Sequence, residues 1–288
     1  MKWDMEFEIN NFNIKYTLDS GQCFRWKCLF EDEANKVYEY IGVIEDRVIK
    51  IRQEQNKFYI ASNNKENLKE VVYDYFDLNK DYTLLEEKIR KIDPNVDKAV
   101  EFSTGMHMLN QPVFETIISY IISANNNIKR ISGSVNQISE MFGKKVIFEN
   151  EEYYLFPTLQ ELSKATEEDM LTCKVGFRAR YIIHMVKDLL EDDTLLKEYK
   201  NMTMEDLRSK LLQHMGIGPK VADCIMLFSM RRYECFPVDV WVKRIMEKLY
   251  FRKNTDNKEI INFAKESFKE DAGLIQQHLF YNVRMQNM

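Results

Sequence analysis

Glycine and proline are scarce in this chain of 288 residues, at nine and five. Their scarcity argues against a turn-rich β fold and favours long helices. The five cysteines, Cys23, Cys28, Cys173, Cys224 and Cys235, are odd in number, and no two have a Cys-x-x-Cys spacing. That argues against a disulfide framework, a zinc site or a four-cysteine iron–sulfur site. No apolar run approaches the roughly 18 residues that a membrane span needs. The opening Met-Lys-Trp-Asp-Met-Glu lacks the pattern of a signal peptide. The expectation is a monomer free of membranes, located in the cytoplasm, or in the nucleus if the source is eukaryotic.

What is present is an ordinary globular composition: 45% hydrophobic and 30% charged residues, enough for a substantial core. The net charge of −5 argues mildly against a nucleic-acid partner. Its distribution matters more. Residues 218–253 carry eight Lys or Arg against four Asp or Glu. Acidic residues gather elsewhere, at Glu149–Glu152, Glu167–Asp169 and Glu191–Asp193. A locally basic face and a plain mixed surface both fit these counts.

The pattern implies an α+β fold, with a small N-terminal antiparallel sheet packed on a mainly helical domain. Up to about Asn64, short aromatic or β-branched segments read as strands: Tyr16–Leu18, Cys23–Trp26, Val37–Ile41, Arg47–Ile51 and Lys57–Ile60. From about Lys65, apolar residues recur at helical spacing. Leu68, Val71, Val72 and Phe76 form one such set, and Val113, Ile117, Tyr120 and Ile121 another. Leu159, Leu162 and Ala165 form a third, and Leu207, Leu211 and Leu212 a fourth. The expected division is residues 1–100, the sheet with a linking helix, and 101–288, the helical domain.

One segment carries chemistry. An amphipathic helix from Leu207 ends at Gly216-Ile217-Gly218-Pro219, and a new helix follows with Pro219 in its first turn. Two glycines one residue apart allow a tight hairpin. The free N–H groups and positive end of the next helix make a seat for a phosphate. Such a hairpin grips a DNA backbone without reading sequence. Simple packing of two helices explains the same turn. Lys220, in the first turn after the hairpin, suits a phosphate contact or a nucleophile. A nucleophile must be neutral, and an ordinary lysine near pKa 10.4 needs burial or cationic neighbours for that. A helix from Lys220 to about Arg231 spans about 17 Å. The return from Arg232 to Val238 reaches about 20 Å. Asp239 can therefore open the next helix beside Lys220. An ordinary N-cap is the plain alternative for Asp239, and both roles can hold together.

Met215-Gly-Ile-Gly-Pro-Lys-Val-Ala-Asp-Cys224 followed by Pro237-Val-Asp-x-x-Val-x-Arg244 resembles the helix–hairpin–helix DNA glycosylase superfamily. Three further segments resemble its 8-oxoguanine DNA glycosylase branch: Ser20-Gly-Gln-Cys-Phe-Arg-Trp26, Asn125-Asn-Asn-Ile-Lys-Arg-Ile131 and Gly176-Phe-Arg-Ala-Arg-Tyr181. The ordered matches run from residue 20 to residue 244.

The resemblance implies an enzyme without a cofactor or catalytic metal that flips 8-oxoguanine out of double-stranded DNA, excises it and nicks the strand. Lys220 attacks sugar C1′ and forms a Schiff base, and Asp239 stabilises the cationic sugar. The Gly21 carbonyl accepts the N7–H that guanine lacks. Cys224 and Phe280 sandwich the base, and Gln276 bonds its Watson–Crick edge. Asn125, Arg130 and Arg178 contact the base left on the opposite strand, and Phe177 wedges into the gap. Gly216 and Gly218 form the DNA-gripping hairpin, whose carbonyls at Leu212, His214 and Ile217 match a structural cation site. Two departures stand out: Phe177 where the family usually has Tyr, and Trp241 where it often has a phosphate-contacting His. Without the resemblance, Cys224, Phe280 and Phe177 read as core, and Gln276 and the arginines as surface. Two other functions remain open at this level: a glycosylase for other damaged bases, and a catalytically silent DNA-binding module.

Overall fold

The computed structural model describes residues 2–192 and 194–286. Met1, Asp193, Asn287 and Met288 lie outside the described residues, and with them the outer ends of the expected division and one member of the Glu191–Asp193 group. The architecture is α+β, as the residue pattern implied. Five strands, β1 (Met5–Glu8), β2 (Lys27–Asp32), β3 (Val37–Ile44), β4 (Arg47–Glu54) and β5 (Lys57–Ser62), form one antiparallel sheet in the order β1-β5-β4-β3-β2. Two-residue turns join β3 to β4 and β4 to β5. Their first residues, Glu45 and Gln55, take φ of +50° and +58° without glycine.

Two strand expectations need correction. Tyr16–Leu18 lies inside a helix, Ile14–Asp19, because Asn13 caps it by accepting the Tyr16 N–H at 3.0 Å. Cys23–Trp26 is a connecting segment that precedes β2. Its alternation reflects side chains sent to two different cores: Cys23 to the sheet side and Phe24 to the helical side. Trp26 lies against Gly42, where a Cβ would stand 2.4 Å from the indole ring. The strand that completes the far edge, Met5–Glu8, was not anticipated.

Nor was a second hairpin, β6 (Lys145–Phe148) with β7 (Glu151–Tyr154). Glu149 and Asn150 at its tip both have positive φ, the backbone that suits a two-residue turn between twisted strands. The hairpin reaches back to the N-terminal sheet. Phe148 and Leu155 pack on Ile41, Val43, Val48 and Ala61. The other face of the sheet covers the helix Leu68–Tyr75 through Leu68, Val72 and Tyr75. That sandwich explains why β3 is buried on both faces from Tyr40 to Ile44 instead of alternating.

In the helical body two helices are buried almost all round, as central elements must be. Val113–Ser123 is buried continuously from Thr116, and Pro219–Ser229 from Val221. They meet through the stacked rings of Tyr120 and Phe228, 5.5 Å apart. The fourth apolar set forms Met204–Leu211, with Leu212 as its cap. The third forms only Leu159–Leu162, capped by Thr158 and Glu161, and Ala165 falls beyond it. No helix among the described residues is long and apolar enough to cross a membrane.

Candidate active site

The loop Ser20–Trp26 forms one wall of a cleft of about 430 Å³. Gly21 turns there with φ +86°, which favours glycine, and a Cβ would point at Ile128, Phe280 and Arg284. Gln22 pins the loop from behind. Its amide donates to the Thr17 and His107 carbonyls at 3.0 and 2.9 Å, and accepts the Leu109 N–H at 2.8 Å. Its own carbonyl accepts from Gln111 at 2.6 Å and from the Tyr120 hydroxyl at 3.1 Å. A fully satisfied buried amide of this kind fixes the neighbouring glycine carbonyl in one orientation.

The helix–turn–helix forms as the spacing suggested, and its two glycines differ. Gly216 has φ +87°, and a Cβ would meet the Tyr181 ring at 2.6 Å, so only glycine fits. Gly218 is extended backbone at the start of Pro219–Ser229. It stands in open space, which leaves the free N–H groups of that helix approachable. The Ile217 N–H closes the turn on the His214 carbonyl at 3.2 Å. The buried His214 ring braces the turn from inside, with Nδ1 2.6 Å from Asp188 and Nε2 2.6 Å from the Tyr199 hydroxyl. Arg208 pairs with the buried Asp223, tying the two hairpin helices together. Burial pushes that carboxyl up to about 6 despite the arginine beside it.

Lys220 is half-buried at the start of Pro219–Ser229. Its Nζ donates to Ser123 Oγ at 3.3 Å and sits 5.3 Å from the centre of the Tyr120 ring. The preceding helix ends at Ser229, slightly earlier than expected, and Arg231 has φ +54°. The chain then returns, and Asp239 caps Val240–Met246 by accepting the Val242 N–H at 2.8 Å with Oδ1. Among the described residues no hydrogen bond engages Oδ2. The N-cap role is therefore real, and it leaves one carboxylate oxygen for other work.

A slot of about 60 Å³ opens off the cleft, and Gly21, Lys220, Cys224, Asp239, Gln276 and Phe280 all line it. Sequence positions spread over 260 residues thus converge within one small volume. Gln276 and Phe280 come from one face of the terminal helix Ala272–Gln286. Gln276 is 5% exposed and its Oε1 has no hydrogen-bond partner among the described residues. Burial pushes the Cys224 thiol up to about 12, against the pull of the Lys220 ammonium. Cys224 is thus a neutral, soft wall at ordinary pH rather than a competing nucleophile.

The residues expected to face the opposite strand divide. Phe177 is 56% exposed, a large apolar side chain held out in solvent, with the Arg178 guanidinium 4.4 Å from its ring centre. Asn125, with φ +52°, and Arg130 are exposed as well. Arg178 is not: it is buried, and its guanidinium donates to the carbonyls of Ala124, Asn125 and Val175. It clamps the loop that carries Asn125. Trp241 is 55% exposed and lines the larger cleft, with Arg244 over its ring.

Sequence reasoning missed Ser123, Tyr120, Gln277 and Arg284, all of which line the cleft or the slot. Tyr120 read only as part of an apolar stripe. A tyrosine among isoleucines, needing a partner for its hydroxyl, was the available signal. Among the described residues no cluster of three or more His, Cys, Asp or Glu side chains could hold a metal ion.

A hairpin joining the amphipathic helix Met204–Leu211 to the buried helix Pro219–Ser229, with a lysine and an aspartate at two helix starts over one slot, defines the class: a helix–hairpin–helix base-excision protein. Residues 118–270 match the HhH-GPD superfamily of base excision DNA repair proteins, and residues 4–117 match the 8-oxoguanine DNA glycosylase N-terminal domain. The chain is similar to a Clostridium acetobutylicum 8-oxoguanine glycosylase/lyase, solved with double-stranded DNA containing cytosine opposite 8-oxoguanine. The two are 38% identical, all of both chains is covered, and the TM-score is 0.90. It is also similar to a probable N-glycosylase/DNA lyase of Methanothermobacter thermautotrophicus, at 29% identity over 97% of this chain and 96% of that protein. The N-glycosylase/DNA lyase of Saccharomyces cerevisiae is 30% identical over 86% of this chain and 65% of its own length. The chain belongs to the HhH-GPD superfamily, in its 8-oxoguanine glycosylase/lyase branch.

Proposed function

We propose that this protein excises 8-oxoguanine through the slot between Cys224 and Phe280, with Lys220 as nucleophile and Asp239 as its carboxylate partner. The protein is a bifunctional 8-oxoguanine DNA glycosylase and lyase. The observation that carries the residue assignment is the convergence of Gly21, Lys220, Cys224, Asp239, Gln276 and Phe280 on one slot.

The chemistry follows from the groups present. A base can reach this slot only after leaving the helical stack, so flipping precedes the reaction. The Gly21 carbonyl, held by the Gln22 bracing, accepts the N7–H of 8-oxoguanine. In guanine a lone pair would face that carbonyl instead, a discrimination of about 1–3 kcal/mol from one contact. The Lys220 amine attacks C1′ while the C1′–N9 bond breaks and its electrons leave with the base. Asp239, with Oδ1 fixed by its helix cap, sets Oδ2 against the positive charge that grows on the sugar. A proton then passes from the nitrogen to O4′, the C1′–O4′ bond opens, and the amine becomes a protonated Schiff base. Loss of a C2′ proton breaks the 3′ C–O bond by β-elimination, and the strand is nicked.

On the DNA side, the Gly216–Gly218 hairpin binds a backbone phosphate through the free N–H groups of Pro219–Ser229. The His214 carbonyl keeps a second lone pair beside its bond to Ile217. With the Leu212 and Ile217 carbonyls it would hold a structural cation that stiffens the turn. Phe177 fills the space left by the flipped base, and Asn125 and Arg130 meet the base opposite. Arg178 acts by shaping the Asn125 loop. The protein works as a monomer, in the cytoplasm or a nucleus.

Borohydride trapping on duplexes carrying 8-oxoguanine tests the assignment. The parent forms a covalent adduct and Lys220→Gln forms none. Trapping that survives the substitution removes Lys220 as the nucleophile.

A further inference from the structure

The slot contains a second buried amide. Gln277 follows Gln276 in the terminal helix, lines the same slot and is 4% exposed. The Oε1 atoms of both glutamines lack a hydrogen-bond partner among the described residues. Consecutive helical residues point about 100° apart. Two neighbours that line one slot therefore approach it from different directions, and each brings one buried, unpartnered carbonyl oxygen beside it. A buried carbonyl without a donor is costly to keep, and two beside one cavity call for a ligand that brings two donors.

The guanine Watson–Crick edge carries two adjacent donors, N1–H and the 2-amino group. Adenine has an acceptor at N1 and no 2-amino group, so it cannot satisfy both. We propose that Gln277 is a specificity-determining residue that accepts a hydrogen bond from the 2-amino group of the flipped base, while Gln276 takes N1–H. This rests on the reading of the slot as the base site. Gln277 thereby narrows the substrate from oxidised purines in general to those with a guanine edge.

The test compares single-turnover excision of 8-oxoguanine with that of 8-oxohypoxanthine, which lacks only the 2-amino group. The parent processes 8-oxohypoxanthine about tenfold more slowly, the effect of one lost bond to a buried acceptor. Gln277→Met slows 8-oxoguanine excision about tenfold and affects 8-oxohypoxanthine far less, so the preference between the two bases collapses. Gln277→Leu, of different shape, gives the same collapse. Borohydride trapping on DNA with an abasic site has no base to read. A much smaller loss there, with a near-parental melting temperature, shows that fold and Lys220 are intact. Equal losses on both bases in both variants would overturn the proposal. So would a parent that does not distinguish them. A parent that releases neither base removes the reading of the slot, and the proposal with it.

Discussion

The two sides of the cleft are built differently. Around the slot, the reacting groups and the Gly21 loop are set in advance by hydrogen bonds within the protein. Gln22 pins the Gly21 loop, Asp239 is fixed as a helix cap, and Lys220 rests on Ser123 and Tyr120. Around the opposite-strand face, Asn125, Arg130 and Phe177 stand out in solvent with few contacts to restrain them. The exception on that face is Arg178, whose guanidinium is committed to carbonyls beneath the Asn125 loop. Chemistry at one carbon needs preorganisation, because a misplaced nucleophile loses most of its advantage. A surface that meets a bent duplex gains from side chains that settle on contact.

The contrast breaks first at Asp239. Asn caps helices as well as Asp does, so Asp239→Asn keeps the helix start and removes only the charge. We expect excision slowed about 100-fold or more with near-parental DNA affinity, since a preorganised group aimed at developing charge carries about this much. Equal losses in binding and rate would make Asp239 a structural cap alone.

Arg178→Met comes next, because it leaves three carbonyls, that of Val175 fully buried, short of a charged donor. A stability loss of about 3 kcal/mol is expected in chemical denaturation. A surface arginine would lose within about 0.5 kcal/mol, and that result would move Arg178 to the solvent-facing group.

Gly216→Ala puts a Cβ 2.6 Å from the Tyr181 ring at a positive φ. About 2 kcal/mol of stability should disappear. The salt dependence of DNA binding should become shallower as the hairpin loses its phosphate. Unchanged affinity and slope would detach the hairpin from DNA.

His278 tests how dry the interior behind the slot is. Its Nδ1 lies 2.7 Å from Ser103 Oγ, and burial pushes the ring down to about 3. The unfolded ring titrates near 6.5, so as pH falls below that value the unfolded chain gains a proton that the native ring refuses. The resulting stability loss is about 1.4 kcal/mol per pH unit until the native value is approached. His278→Gln removes the effect. The gap in stability between parent and variant should therefore narrow on acidification from pH 6.5. A constant gap would mean a solvated ring.

The smallest expected effect on the fold is that of Phe177→Ala. Stability should stay within about 0.5 kcal/mol, since the ring is mostly exposed. Binding of lesion DNA weakens as the wedge is lost. A large loss of stability would return Phe177 to the core.

Much of this was legible from residue types and spacing alone. The hairpin turn, the new helix at Pro219 and the return to Asp239 follow from backbone rules that act within a few residues. The helical phase that puts Gln276 and Phe280 on one face is local as well. Other features were decided by tertiary contacts. Tyr16–Leu18 has strand composition, yet the Asn13 cap makes it a helix. Cys23–Trp26 alternates because it serves two cores, not because it pairs in a sheet. Arg178 reads as a surface cation, and only the fold brings three carbonyls around it. The slot itself joins Gly21, Lys220, Asp239 and Gln276. Local rules set each residue's backbone, but no local rule spans the 255 positions from residue 21 to 276. Their convergence was settled by the packing of the terminal helix against Pro94–Phe102 and Val240–Met246, where apolar burial outweighs any single local preference.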